Sequence, residues 1–156
     1  MSQDSFAQSR QGLVSTARIA AHPIHPILVP IPIVCFVGAL LTDIVYWRTA
    51  TMMWSDFSAW LISAGVVIGW LAAIFGAIDL FGNRGIRNLS VAWMHAVGNV
   101  VVLVLATFNM LVHTHDAWTS VVPWGLTLSV LTVLILLVTG WLGWSMVYRY
   151  RVGVSR

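Results

Sequence analysis

Between Phe57 and Leu80 the chain reads FSAWLISAGVVIGWLAAIFGAIDL, and Asp79 is the only charged residue in that stretch. A helix needs about 20 mostly apolar residues to cross the hydrocarbon core of a membrane. This run is long enough, and three others match it: Pro30 to Trp47, Leu89 to Val112 and Val121 to Val147. Together the four predict an all-α, integral membrane, antiparallel four-helix bundle, since short connections favour neighbours of opposite direction. Residues 22–150 form the transmembrane domain in this reading, and residues 1–21 a polar N-terminal segment. That segment lacks a continuous apolar core, so it does not read as a cleavable signal peptide, and the first span is expected to act as an uncleaved anchor.

The composition of the whole chain agrees. Of its 156 residues 59% are hydrophobic and only 8% charged, with a mean hydropathy of +0.88. A soluble domain carries about 25% charged residues, so a cytosolic enzyme, a disordered chain and a nucleic-acid binder are excluded. The partner these numbers require is the lipid bilayer. All eight basic residues are Arg and all five acidic ones Asp. Arg10, Arg18, Arg84, Arg87, Arg149, Arg151 and Arg156 fall at one end of the four spans, and Arg48 alone falls at the other. The excess of basic residues on cytoplasmic loops predicts a multi-pass protein of the inner (cytoplasmic) membrane with both termini in the cytoplasm. Trp47, Trp54, Trp60, Trp118 and Trp124 lie at the outer headgroup level, and Trp93, Trp141 and Trp144 at the inner one. Trp70 lies in mid-span and is expected to pack between helices. The second span carries Gly65, Gly69, Ala73 and Gly76, a ridge of small residues suited to close helix contact within one chain or across a homodimer.

Polar groups inside a membrane are costly and mark candidate sites. His95, Asn99, Ala106, Asn109 and His113 share one stripe of the third span at about 100° per residue. His95 is about 10 Å from the inner end of that helix. Asp79 shares a face with Gly65 and Gly76, with Asn83 and Arg84 as alternative helix-end partners. Ahead of the first span stands His22-Pro-Ile-His25-Pro, followed by Pro30 and Pro32. Four prolines predict a stiff, extended segment, because each removes an amide donor and biases its predecessor away from helix. The topology brings His22, His25, Asp79 and His95 to one side. At the other end Asp43, His113, His115 and Asp116 form a weaker group, whose two histidines read as ordinary residues of a solvated loop or a pH-sensitive surface, with ligands of a second redox centre or groups shared in a dimer as the alternatives.

The His-Pro-x-His-Pro opening, Asp43, the Gly-Ala-Ile-Asp at 76–79 and His95-x-x-x-Asn99 together resemble the domain-of-unknown-function 2231 family over about residues 20–147. The resemblance implies a bacterial four-helix membrane protein. Relatives joined to Rieske or cytochrome c-type domains imply redox chemistry and a redox protein partner.

Three functions fit these residues. The first is a b-type haem carrying electrons, with His95 and His25 as axial ligands, His22 as the substitute ligand and Asp79 orienting an imidazole. In that reading Arg84 and Arg87 receive the propionates, and Asn99 is the neighbour of His95. The second is a transition-metal ion held by His22, His25, His95 and Asp79. The third is a non-catalytic accessory subunit of a larger membrane complex. Cys35 is the only cysteine, so an intrachain disulfide is excluded. A catalytic triad, a CxxC, a CxxCH and a Gly-rich phosphate loop are all lacking in the sequence.

A reporter active only in the periplasm, fused after Arg156, is expected to remain inactive, while a cytoplasmic reporter at the same place works. The opposite pair of results would invert the assigned topology.

Overall fold

The computed structural model describes residues 13–20, 22–115 and 121–153. A minimal hairpin comes first, β1 (Arg18–Ile19) against β2 (His22–Pro23), with Ile19 opposite His22. It leads into α1 (Ile24–Leu28), α2 (Pro30–Thr49), α3 (Met52–Gly82), the single turn α4 (Arg84–Arg87), α5 (Ser90–His115) and, after a wide turn over Val121–Gly125, α6 (Leu126–Tyr148). Among the described residues four helical stretches are long and apolar enough to cross a membrane: Ile24–Thr49, Met52–Gly82, Ser90–Thr114 and Val121–Tyr148. The protein is an all-α membrane bundle in which α2 packs on α3 and α6, and α5 packs on α3 and α6.

The proline-rich entry differs from the sequence expectation. Only His22–Pro23 is extended; the chain is helical from Ile24 onward. Pro26 falls in the first turn of α1, and Pro30 and Pro32 in the first turn of α2. Amides in a first turn have no intrahelical acceptor, so proline there forfeits nothing. Val29 joins the two helices in right-handed geometry, donating to the His25 carbonyl at 3.1 Å while Ile33 N–H reaches the Val29 carbonyl at 3.4 Å. His25 therefore rides on the opening turn of the first span. It does not sit on a separate extended arm.

The α2–α3 connection is short because Ala50 adopts a left-handed conformation (φ 50°) and donates its N–H to the Tyr46 carbonyl at 2.8 Å. At the other end of α3, Asn83 accepts from Gly85 N at 2.8 Å and donates to the Val14 carbonyl at 3.0 Å. Gly153 N–H closes onto the Leu13 carbonyl at 2.8 Å, so both ends of the described chain cover the arginine-rich rim. Beneath them lies a small apolar cluster of Leu80, Ile86 and Ala92.

The main core is Phe36, Ala39, Ile62, Val66, Val102, Leu103 and Ala106. Large side chains elsewhere on the same helices, such as Trp60, Val67, Phe108 and Leu137, point outward. Helices apolar on all sides belong in lipid. The small-residue ridge of α3 is consumed inside the chain. A Cβ at Gly65 would stand 2.6 Å from the Phe36 ring of α2, and one at Gly69 would stand 2.6 Å from Leu103 of α5. Trp70 is 39% exposed, so it is not enclosed between helices; its indole N–H spans the α3–α5 seam to Thr107 Oγ1 at 3.2 Å.

These spaces predict opposite outcomes for one chemical change. Gly65→Val forces a methyl-bearing carbon into the Phe36 ring and should cost about 1–3 kcal/mol, whereas nothing lies within 4 Å of a Cβ at Gly140. Thermal unfolding in detergent should show a clear loss for Gly65→Val and a near-unchanged transition for Gly140→Val.

Candidate functional site

Two of the four residues expected to converge at the arginine-rich end do so. The rings of His25 and His95 lie with centroids 6.2 Å apart and planes at 89°. Each is oriented by the same device. His25 Nδ1 is 2.8 Å from the Ala72 carbonyl oxygen on α3, and His95 Nδ1 is 2.9 Å from that of Thr139 on α6. A carbonyl only accepts, so both Nδ1 atoms carry hydrogen, and in the neutral rings Nε2 keeps its lone pair.

A helix carbonyl points toward the residue four positions on. In both cases that residue is glycine. A Cβ at Gly76 would meet His25 Nδ1 at 3.0 Å, and one at Gly143 would meet His95 Cε1 at 2.8 Å. The pairs Ala72/Gly76 and Thr139/Gly143 thus leave one carbonyl of each helix open to an imidazole from a neighbouring element. Asn99, one turn beyond His95, donates from Nδ2 to the His95 carbonyl at 2.8 Å and to His95 Nε2 at 3.2 Å.

Beside His25 lies a small cavity of about 50 Å³. Its polar lining side chains are His25 and Asn99; the others include Pro32, Phe36, Val102, Leu103 and Leu136. Gly69 and Ala73 on α3 open it further.

His22 and Asp79 stand apart from this pair. His22 is exposed and donates from Nδ1 to the Ala20 carbonyl at 2.8 Å. Asp79 does not orient an imidazole. Its Oδ2 accepts from Ser15 Oγ at 2.7 Å, and its Oδ1 accepts from the amides of Thr16 at 2.6 Å and Ala17 at 2.7 Å. The carboxylate thus fastens the segment ahead of β1 to the end of α3. Among the described residues, no group of three His, Cys, Asp or Glu side chains is gathered closely enough to hold a metal ion. The shell of His22, His25, Asp79 and His95 is therefore not assembled. Arg84 and Arg87 are exposed on α4 and form no ion pair among the described residues.

The larger departure is at the opposite end. His113 is in α5 and wholly buried, as is Asp43 on α2; both side chains are 0% exposed. His113 Nε2 lies 3.0 Å from Asp43 Oδ1, and Ser129 Oγ of α6 donates to Asp43 Oδ2 at 2.5 Å. Asn109 Nδ2 in turn donates to Ser129 Oγ at 2.8 Å. Reading His113 as a loop residue fails because α5 continues to His115. The side chain of His115, and all of Asp116, lie outside the described residues. Nothing in the sequence sets Ser129 and Thr132 apart, since α6 also holds Thr127, Thr139 and Ser145.

The family model described as "Predicted membrane protein (DUF2231)" matches residues 21–156. No curated protein and no solved structure matches the chain.

Hydrogen bonds to a charged group contribute about 1.5–3 kcal/mol each. Asp79→Ala removes the acceptor of three, so amide hydrogen exchange at Thr16 and Ala17 should accelerate by about tenfold or more. Unchanged exchange at both amides would refute the fastening role.

Proposed function

The chain belongs to the DUF2231 family of predicted membrane proteins, and from that premise we propose that it is a b-type haem protein carrying electrons in the membrane, with His25 and His95 as axial ligands. The observation that carries this reading is the number of ligands brought together. A zinc or copper site needs three or four protein donors, and among the described residues two imidazoles meet here. Haem brings four nitrogen donors of its own, and a protein that fills both axial positions adds two.

The geometry supports that count. The rings of His25 and His95 lie 6.2 Å apart, near enough that both would hold one bound group. Carbonyl bonds at both Nδ1 atoms set the tautomer that leaves Nε2 free to ligate. The Ala72 and Thr139 carbonyls thus do what Asp79 was expected to do. The Asn99 bond to His95 Nε2 would yield, while its bond to the His95 carbonyl still anchors the amide. The cavity bordering His25 is largely apolar but encloses only about 50 Å³, so haem would enter only with a separation of the surrounding helices. Neutral imidazoles add no charge to that interior. Haem bound there would supply a one-electron couple inside the bilayer.

Arg84 and Arg87, exposed on α4 at the same rim and without an ion pair among the described residues, are the candidates for the haem carboxylates. With seven arginines against one, this end faces the cytoplasm of the inner membrane.

The visible spectrum of the detergent-purified chain, expressed with haem supplied, tests the reading. A Soret band and a reduced α-band are expected, lost in His25→Ala and in His95→Ala but kept in His22→Ala. Absence of the Soret band, or its survival in both ligand variants, would overturn the assignment; near-stoichiometric metal without haem would do so as well.

A further inference from the structure

The bonds around Asp43 account for every hydrogen but one. His113 Nδ1 lies 3.0 Å from the Asn109 carbonyl, which can only accept, so Nδ1 carries hydrogen. Ser129 Oγ accepts from Asn109 Nδ2 and directs its own hydrogen to Asp43 Oδ2. The remaining contact joins His113 Nε2 to Asp43 Oδ1 at 3.0 Å. Without a proton between them, two lone pairs would face each other in a place no water reaches. With one proton the pair is neutral overall, as an imidazolium–carboxylate or as imidazole with carboxylic acid. With none it is a bare negative charge within the membrane.

We infer that Asp43 and His113 form a membrane-embedded binding site for one exchangeable proton at the arginine-poor end of the bundle. This site is independent of the haem reading. It lies 18 residues from His95 along α5, about 27 Å away, with the buried Val102, Leu103 and Ala106 between.

A second observation marks the place as unfinished. Asn109 Oδ1 and Thr132 Oγ1 are buried without a partner among the described residues, in residues only 2% and 3% exposed. Both residues line a narrow gap with Ser129, and as packed it admits no water. A buried acceptor left open is costly, and here it continues the chain Asn109–Ser129–Asp43. The relay therefore has a spare acceptor at its end, which a static pin between helices does not require.

The other ionisable groups at this end point elsewhere. From α2, the Tyr46 hydroxyl faces Met52 Sδ at 3.8 Å and Arg48 lies over the Trp47 ring at 5.8 Å. From α3, Asp56 is exposed. On α6 the groups facing the pair are the hydroxyls of Ser129 and Thr132, which do not titrate in the accessible range. The proton thus answers to Asp43 and His113 alone among the described residues.

The test is ¹⁵N-histidine NMR with infrared spectroscopy of ¹³C-aspartate on the full chain in nanodiscs, titrated from acid to alkaline pH. One proton is expected to leave in a single step seen by His113 Nε2 and by the Asp43 carboxyl, abolished in Asp43→Asn and in His113→Gln. Ser129→Ala removes the hydrogen given to Oδ2, so that variant should hold the proton roughly tenfold more tightly. The wild-type titration stands even if a charge variant fails to fold. His113 and Asp43 signals that never move with pH would overturn the inference. So would a step that follows sodium concentration at constant ionic strength, which would mark a cation site.

Discussion

In hydrocarbon no water stands ready to satisfy a polar group, so each donor and acceptor must find its partner inside the protein. The features that give this bundle chemical character follow from that constraint. His25 and His95 enter the membrane by borrowing carbonyls from α3 and α6, and those carbonyls are reachable because Gly76 and Gly143 present no side chain over them. Asp43 enters by taking hydrogen from Ser129 and sharing another with His113. Thr42 and Ser58 settle each other across α2 and α3 at 2.6 Å. Each solution joins separate elements, so the polar contacts also fix how the helices are set against one another. The apolar core then fills the spaces between.

The spans were legible from the sequence because length and apolarity alone decide them. The inward faces were harder to read. A soluble helix shows its buried side by contrast with a polar one, but these helices present apolar residues to lipid as well as to the core. Only polar and small residues carry directional information under those conditions. The stripe of His95, Asn99, Asn109 and His113 was visible for that reason, and so was the ridge of Gly65 and Gly69. Two misreadings have the same root. Asp79 was assigned to the histidines because it lies at their level, and level in the membrane does not identify a partner. Ser15, Thr16 and Ala17 reach it first. Prolines 26, 30 and 32 were taken to exclude helix, yet crowded into first turns they occupy the positions where an amide is dispensable.

The outer pair shows what a one-dimensional reading misses. Asp43 and His113 are 70 residues apart on helices that meet only in the folded chain. Along the sequence His113 reads as a loop residue because the predicted third span ends at Val112. Its burial depends on Asp43, which the spacing along α5 cannot reveal. Ser129 was invisible for a milder reason, since a hydroxyl in a membrane helix usually bonds its own preceding turn. Here it bonds across the bundle instead.

Between the two polar ends lies a layer of Phe36, Ile62, Val102, Leu103 and Ala106 with no polar side chain among them. A proton needs a continuous chain of donors and acceptors, and these five side chains supply none. An electron at the imidazole pair and a proton at Asp43 would therefore be handled separately, each from its own rim. The separation also explains why both sites can be neutral overall. The low-dielectric layer tolerates two neutral arrangements with little cost, whereas a net charge at either would incur a desolvation penalty that no counter-ion in the layer could offset.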